Sequence, residues 1–477
     1  MRVNLFGIGL KGHSPAIDAQ RRINCYLEPQ IDPDRTKLAL VGSPGLTAFC
    51  TSIGSNPSRG LWAVNTLTTP LVFSVNGNTL YSINNAAIIS SIGTINTSSG
   101  DVSMADDGTF LVLVDGTNGW VYNMGTGVLT KITDGNFTTT PKTVTWQDNY
   151  FIVTSSTNRQ FQLSQISPGV DPTVWPAVQI NFTGSGGGQI QAGIADHSVL
   201  ELFGDVYTEF WQDAGNPDFP YANIPGSSQE FGLAAPGSLC KYDNSLAGLF
   251  KNKMGDVQVS RMAGFRLQKL STHELDHNIN DYTNTADCQA FAYMLKGNPL
   301  LQLGFPSAGA TWEFSGLGQT WGERQDANGG RFRANKFTSF LNRKLVSDYR
   351  NGNIYEIDDN VFTYAGDILP MEVWSRHIWN DDKYISIPQL QVDVESGVGL
   401  TSGQGSIPQI MLDISKDGGQ TFSAVSWSSM GAIGQYTQRV IWRRLGRARD
   451  WIIKLRITDP VKRVLTGASA EMVGGTF

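Results

Sequence analysis

Residues 271–282, Ser-Thr-His-Glu-Leu-Asp-His-Asn-Ile-Asn-Asp-Tyr, place His273 and His277 one helical turn apart with Glu274 beside the first, the H-E-x-x-H pattern of zinc metalloproteases. On a helix two such imidazoles share a face and can hold zinc, while the glutamate takes a proton from metal-bound water. The neighbouring residues point elsewhere. Ser271 stands three residues before Glu274, the spacing of a capping box in which hydroxyl and carboxylate each satisfy an amide at the helix start. At 100° per residue Leu275, Ile279 and Tyr282 fall on one face, and His273 and His277 project from the opposite one toward solvent. Asn280 and Thr283 stand where the extended metzincin pattern has Gly and His, and the next glutamate is Glu313. The stretch reads as a capped surface helix, with no metal and no catalytic role for His273, Glu274 or His277.

Three further stretches offer chemistry. SKDGGQTF, residues 415–422, fits the Asp-box pattern of sialidases, with Asp417 bonding amides across a turn, Gly419 supplying a permissive backbone and Phe422 packing beneath. A sialidase needs several copies, an arginine triad and a Tyr/Glu nucleophile pair, and one copy is present. Residues 438–463 hold nine basic residues, Arg439, Arg443, Arg444, Arg447, Arg449, Lys454, Arg456, Lys462 and Arg463, against Asp450 and Asp459. Strand alternation puts Arg439, Ile441 and Arg443 on one side and Val440, Trp442 and Arg444 on the other. Such a face either contacts an acidic partner, DNA or a neighbouring subunit, or is merely solvated. Because charge is sparse elsewhere, a subunit interface is favoured, with Arg439, Arg443, Arg444, Arg447, Arg449, Lys454 and Arg456 meeting carboxylates. GSGGGQIQAG, residues 184–193, lacks the Gly-Lys-Ser/Thr ending of a phosphate loop and reads as a loop. No nucleophile elbow or paired-carboxylate site accompanies these stretches, so neither an enzyme nor a cofactor is expected.

The elements that must carry these residues are strands. Charged residues make up 16% of the 477, against about 25% in an ordinary domain, and glycine counts 52. A net charge of −6 argues against a free nucleic-acid binder. Cys25, Cys50, Cys240 and Cys288 show no paired spacing and read as reduced core residues. The opening MRVNLFGIGLKGHSP is too short and glycine-rich for a secretory signal, and no run of 18 apolar residues follows, so a soluble cytoplasmic product is expected.

Between residues 60 and 365 an alternating run, a Gly/Asn/Asp turn and a second alternating run recur: 71–83, 110–124, 149–164, 200–213, 248–262, 291–303 and 345–357. Two-residue Asn-Gly and Asp-Gly turns match the twist of a hairpin. Their 40 to 55 residue spacing is that of four-stranded propeller blades, and the expected fold is all-β, a six- or seven-bladed β-propeller rather than a pair of irregular sandwiches. The expected units are an extended segment at 1–58 that joins propeller or platform, the propeller at 59–367, and a C-terminal β-sandwich platform at 368–477.

Three stretches resemble one family: RRINCYLEP with GSPGLTAF (21–29, 42–49), FGLAAPGSLCKYDNSLAGLFKN (231–252), and QRVIWRRLGRARDWIIKLRITDP with the SKDGGQTF before it. They are similar to the tail hub, or nozzle, proteins of P22-like short-tailed bacteriophages, the packaged-DNA stabilisation proteins. That resemblance implies a propeller with an added β platform, six copies stacked below the adaptor ring beneath the portal. It implies an extended DNA channel that retains the packaged double-stranded DNA until ejection, and contacts with a tail needle or plug and with tailspikes or tail fibres. The place implied is the virion tail, after assembly in the bacterial host cytoplasm, and no catalytic residue carries over. The competing expectation is a receptor-binding propeller whose 12 Trp and 14 Tyr stack host-surface glycan.

Overall fold

Positive-φ turns build the blades. Gly77, at φ 58°, sits with Asn78 in the two-residue turn between strands Leu71–Asn76 and Thr79–Asn84. Each of the seven alternating runs is a paired hairpin, and each lies in a different sheet. The computed structural model describes residues 3, 9–10, 18–30, 37–51, 53–167, 170–184 and 188–475. Most of MRVNLFGIGLKGHSP, and residues 185–187 of the glycine-rich stretch, lie outside these. The end of that stretch is no loop, because Ile190–Asp196 is a strand.

Seven sheets radiate from an axis lined by the strands Ser58–Val64, Ser103–Asp106, Pro141–Gln147, Ile190–Asp196, Cys240–Tyr242, Gln289–Leu295 and Ala334–Phe340. Inner strands of neighbouring blades pack on one another, blades four and five meeting instead through Val199–Gly204 and Gly232–Leu233, and Ala334–Phe340 packs back against Ser58–Val64, which closes the ring at seven blades. Every neighbouring pair of blades has its own apolar core. Phe73, Leu111 and Leu113 join blades one and two, for example, and Leu61, Val72 and Phe340 join blades one and seven. Each such side chain taken fully from water contributes roughly 1.5–3 kcal/mol. In blade five the inner strand is broken: Gly232–Leu233 and Cys240–Tyr242 both pair with Ser245–Lys251, on either side of a short 3-10 turn at Pro236–Ser238.

The N-terminal segment serves both parts. Gly45–Cys50 pairs with Ile354–Asp358 as the outer strand of blade seven, so the ring is fastened by strands from both ends of the propeller sequence. Cys25–Gln30 and Lys37–Gly42 instead join the platform. One platform sheet runs in the order Cys25–Gln30, Lys37–Gly42, Val464–Gly474, Ile385–Val394, Val440–Arg443, with Arg447–Ala448 also on Ile385–Val394. The other runs Arg22–Ile23, Met371–Trp374, Asp450–Ile457, Gln409–Ser415, Ser426–Ser429. Alternating side chains of both, among them Leu40, Val373, Leu390, Leu412, Trp442, Ile453 and Ala468, fill one core between them, the layout of a β-sandwich. Arg22–Ile23 also pairs in parallel with Thr320–Glu323, the outer strand of blade six, so blade and platform share a ten-stranded sheet.

Candidate assembly interface

The helix spans His273–Asn280, and Leu275 and Ile279 are buried against blades five and six, with Tyr282 packed on the same cluster. Its cap is not Ser271. Thr272 is the N-cap and accepts from the Leu275 amide at 3.4 Å. The Ser271 hydroxyl is taken by the neighbouring strand, accepting from Val259 N at 3.2 Å and donating to Val259 O at 3.3 Å, because tertiary pairing outcompetes the local cap. Glu274 therefore sits at the second helical position, where the first turn favours an acid, and no reciprocal capping box forms. His273 is exposed, and His277 lies 3.6 Å from Asp281. Among the described residues no group of three or more His, Cys, Asp or Glu could hold a metal ion.

At the Asp-box, Asp417 accepts from the amides of Gln420 and Thr421 at 3.0 and 2.9 Å and from the hydroxyls of Thr421 and Ser415 at 2.5 and 2.7 Å. These bonds, the Thr421 hydroxyl first, hold its carboxyl down at about 2. Phe422 packs edge-on against Trp374 at 4.8 Å. The motif is a turn lock.

The basic stretch divides between the two platform sheets. Lys454 and Arg456 lie on the Asp450–Ile457 strand and are paired within the chain, Arg456 with Glu372 at 3.0 Å and Asp413 at 3.4 Å, Lys454 with the same two acids at 3.8 and 3.6 Å. Their charges are spent on holding three strands together. Arg443 and Arg447 lie on strands of the other sheet and Arg439, Arg444 and Arg449 in the segments flanking those strands; all five are exposed, and none has a carboxylate within 4 Å among the described residues. Arg439 and Arg443 donate instead to Gln391 at 2.6 Å and Gln389 at 3.4 Å on the adjacent strand. Arg447 and Arg449 lie 5.1 and 4.8 Å from the Tyr384 ring centroid. Arg444 occupies a turn at φ 60°. The strand Val440–Arg443 is a sheet edge, and cations along an edge discourage pairing with a foreign strand.

The alternation pattern gave no hint of the exposed apolar side chains that the platform also carries. Tyr436, Ile433 and Leu400 are exposed, Tyr436 at 74%, where loop 396–406 packs on loop 431–436 through Gly397 and Gly399. Trp427, on the edge strand Ser426–Ser429, is 56% exposed, and Trp379 62%. Aromatic side chains and arginines together are the composition that recurs at protein interfaces.

The platform is held on the propeller by a buried polar junction centred on Asn24. This residue is fully buried in the left-handed region, φ 54°, which Asn tolerates. Its side-chain amide donates to the carbonyls of Gln325 at 2.9 Å and Pro370 at 2.8 Å, and its oxygen accepts from Gln325 N at 3.0 Å and the Tyr364 hydroxyl at 3.1 Å. Beside it Glu313 accepts from Gln302 at 2.6 Å, Tyr293 and Ser43 at 3.2 Å, and Arg324 at 3.5 Å. Arg463 donates to the carbonyls of Leu369 and Ser43, and burial pushes its guanidinium down to about 10. Asn24 comes from a stretch that carries the family resemblance, and Arg463 lies three residues beyond another.

Two family models match this architecture: bacteriophage P22 Gp10, beta-propeller, over residues 28–362, and bacteriophage P22 Gp10, beta-sandwich, over residues 370–473. The chain belongs to the bacteriophage P22 Gp10 family. It is a structural protein of a phage tail, built as a propeller and a sandwich, and its place is the virion tail. No curated protein matches it in sequence. Among solved structures, the computationally designed Ika8 protein aligns with a TM-score of 0.37 at 12% identity, over 65% of this chain and 99% of that one, too weak a likeness to carry an argument. Among the described residues no helix is long and apolar enough to cross a membrane.

Proposed function

We propose that six copies of this Gp10-family chain form a ring below the portal and its adaptor, extend the DNA channel, and retain packaged double-stranded DNA until ejection. Membership of the family over both domains carries this reading. Two physical features support it. Residues 101–230, blades two to four, contain fourteen acidic and three basic residues, whereas the platform presents five arginines without carboxylate partners. Opposite fields on separate parts of one chain favour head-to-tail contact, and a head-to-tail contact closes into a ring when its rotation closes. The propeller's own axis is no duplex conduit, because Lys336 on blade seven bonds Asp101 before blade two at 2.9 Å, and Gln289 on blade six bonds both, at 2.6 and 2.9 Å, across the lumen. The DNA path accordingly runs between copies.

In this reading the adaptor ring, the tail needle or plug, and tailspikes or fibres dock on the two ends of the ring. The test is electron microscopy of DNA-filled, tail-less heads of the cognate phage incubated with the purified chain, with released DNA measured alongside. Six-fold density at one vertex and slower leakage are expected. Bare vertices and undiminished leakage would defeat the reading, and binding on a glycan array would favour receptor recognition in its place.

A further inference from the structure

One connection in the propeller is out of scale. In blades one, two, four, five and six the third and outer strands are joined by residues 85–88, 124–127, 214–220, 264–265 and 316–319, whereas blade three uses residues 164–179. Connections longer than about 12–15 residues with little regular structure are uncommon in compact domains and are usually functional. This strap is fixed on its inner side. The Ser167 amide donates to Asn149 O at 2.8 Å and its hydroxyl donates to Asp107, while the Trp175 amide donates to Asp134 at 2.9 Å and the buried Trp175 ring meets Phe137 at 5.0 Å. The strap thus lies over the seam between blades two and three.

Its outer side is apolar. Ile166, Val170 and Val174 are exposed, Val178 is 62% exposed, and Phe182, on the outer strand Ile180–Phe182 that the strap leads into, is 52% exposed. Pro172 and Pro176 fix the backbone between them, so little ordering entropy is lost when a partner covers it. The charge around it has one sign. Residues 160–240 contain eight acids and no lysine or arginine, and Asp171, exposed on the strap, has no cation within 4 Å among the described residues.

The platform carries the complement. Residues 396–412 and 418–438 contain no charged residue, and Arg439 follows them. Within these segments the two loops are joined, Gly434 N donating to Gly397 O at 3.3 Å and the Ser396 hydroxyl to Tyr436 O at 2.7 Å, and they expose Leu400, Ile407, Ile433 and Tyr436. The platform shares its sheet with blade six, which in a ring of seven stands opposite the seam between blades two and three. A chain therefore leaves its own strap uncovered, and two complementary surfaces on opposite sides of one molecule make the head-to-tail contact from which closed rings are built.

We infer that the strap, residues 164–182, is the seat for the platform of a second copy of this chain. Leu400, Ile407, Ile433 and Tyr436 of one copy cover Val174, Val178 and Phe182 of the next, and the arginines from 439 to 449 face the cation-free surface of blades three and four. This rests on the ring reading and names the surface through which neighbours in that ring meet.

The test replaces Val178 by the photoreactive residue benzoylphenylalanine in the full chain, illuminates it on DNA-filled, tail-less heads, and maps the cross-linked peptides by mass spectrometry. Cross-links to residues 396–438 of another copy are expected, and none in the monomeric chain. Val178→Asp with Phe182→Asp alters exposed side chains alone, so the melting midpoint should hold while occupancy of the vertex falls about tenfold or more; Met254→Asp, on an exposed turn of blade five, should change neither. Six-fold density whose cross-links run elsewhere, to adaptor, portal or tailspike, or full occupancy by the double variant, would overturn the strap assignment and leave the ring standing. Bare vertices with the wild-type chain would defeat the ring reading and this contact with it. The cross-link map decides the assignment even where the double variant misfolds.

Discussion

Propeller and platform differ in what they leave on their surfaces. The propeller closes: seven blades meet through continuous interblade cores, and the last blade is completed by Gly45–Cys50 from the N-terminal segment. Most of the ion pairs among its described residues stay within it, as in Arg333 with Asp348 at 2.9 Å and Arg350 with Asp326. The platform is as well packed inside, yet it leaves five arginines without carboxylates and exposes Trp379, Trp427, Ile433 and Tyr436. The contrast marks the platform surface that is proposed to meet a neighbouring copy. An exposed Arg and aromatic surface costs little while solvated and gains most when it is desolvated against a complementary field.

The comparison is broken most severely at the junction. Asn24→Ala removes two donors and an acceptor from buried carbonyls, an amide and the Tyr364 hydroxyl, and places Ala at a positive φ; a loss of about 3–5 kcal/mol is expected. Urea unfolding should then show the platform and propeller transitions separating, where the wild type is expected to show them linked.

A smaller effect, confined to one side of the comparison, is expected from Arg443→Glu with Arg447→Glu. Both side chains are exposed and unpaired with acids, so the unfolding midpoint should move by less than about 0.5 kcal/mol. Association of copies, followed by sedimentation at low and high salt, should weaken by about 2–4 kcal/mol and lose its salt dependence.

Thr272→Ala tests the corrected helix start, with an expected loss of about 1 kcal/mol in thermal or urea stability, against a negligible change for Glu274→Gln. The smallest effect concerns Asp417, whose folded pKa of about 2 lies below the ordinary carboxylate value of about 3.9. A depressed folded pKa stabilises above the unfolded value and loses that contribution as pH falls through the folded one. Urea midpoints of wild type and Asp417→Asn should therefore differ slightly at pH 7 and converge near pH 2.

Much of the propeller was legible because its hairpins obey short-range rules. The runs around Gly77-Asn78 and Lys296-Gly297 alternate cleanly, and their turns carry glycine. The turns leaving three of the inner strands did not announce themselves: Asp148-Asn149, His197-Ser198 and Asp243-Asn244 are all left-handed and contain no glycine. At His197 the conformation is held by contacts with Asp196 at 2.8 Å and Asn244 at 3.2 Å, the second of which exists only after blades four and five meet. The same limit explains Ser271, taken from its helix by Val259, and the division of the basic stretch, where Lys454 and Arg456 are neutralised by Glu372 and Asp413 from strands distant in sequence. Asn24 sat inside the stretch that carried the family resemblance, but its role depends on carbonyls from Gln325 and Pro370, which no local pattern places beside it.

The most direct measurement is a cryo-electron microscopy map of the assembled ring at side-chain resolution. Arg439, Arg443, Arg447 and Arg449 of each copy are expected against carboxylates of blades two to four of the next, with the apolar surface around Tyr436 buried at the same contact. A ring whose copies meet through other faces, leaving those arginines in solvent, would contradict it.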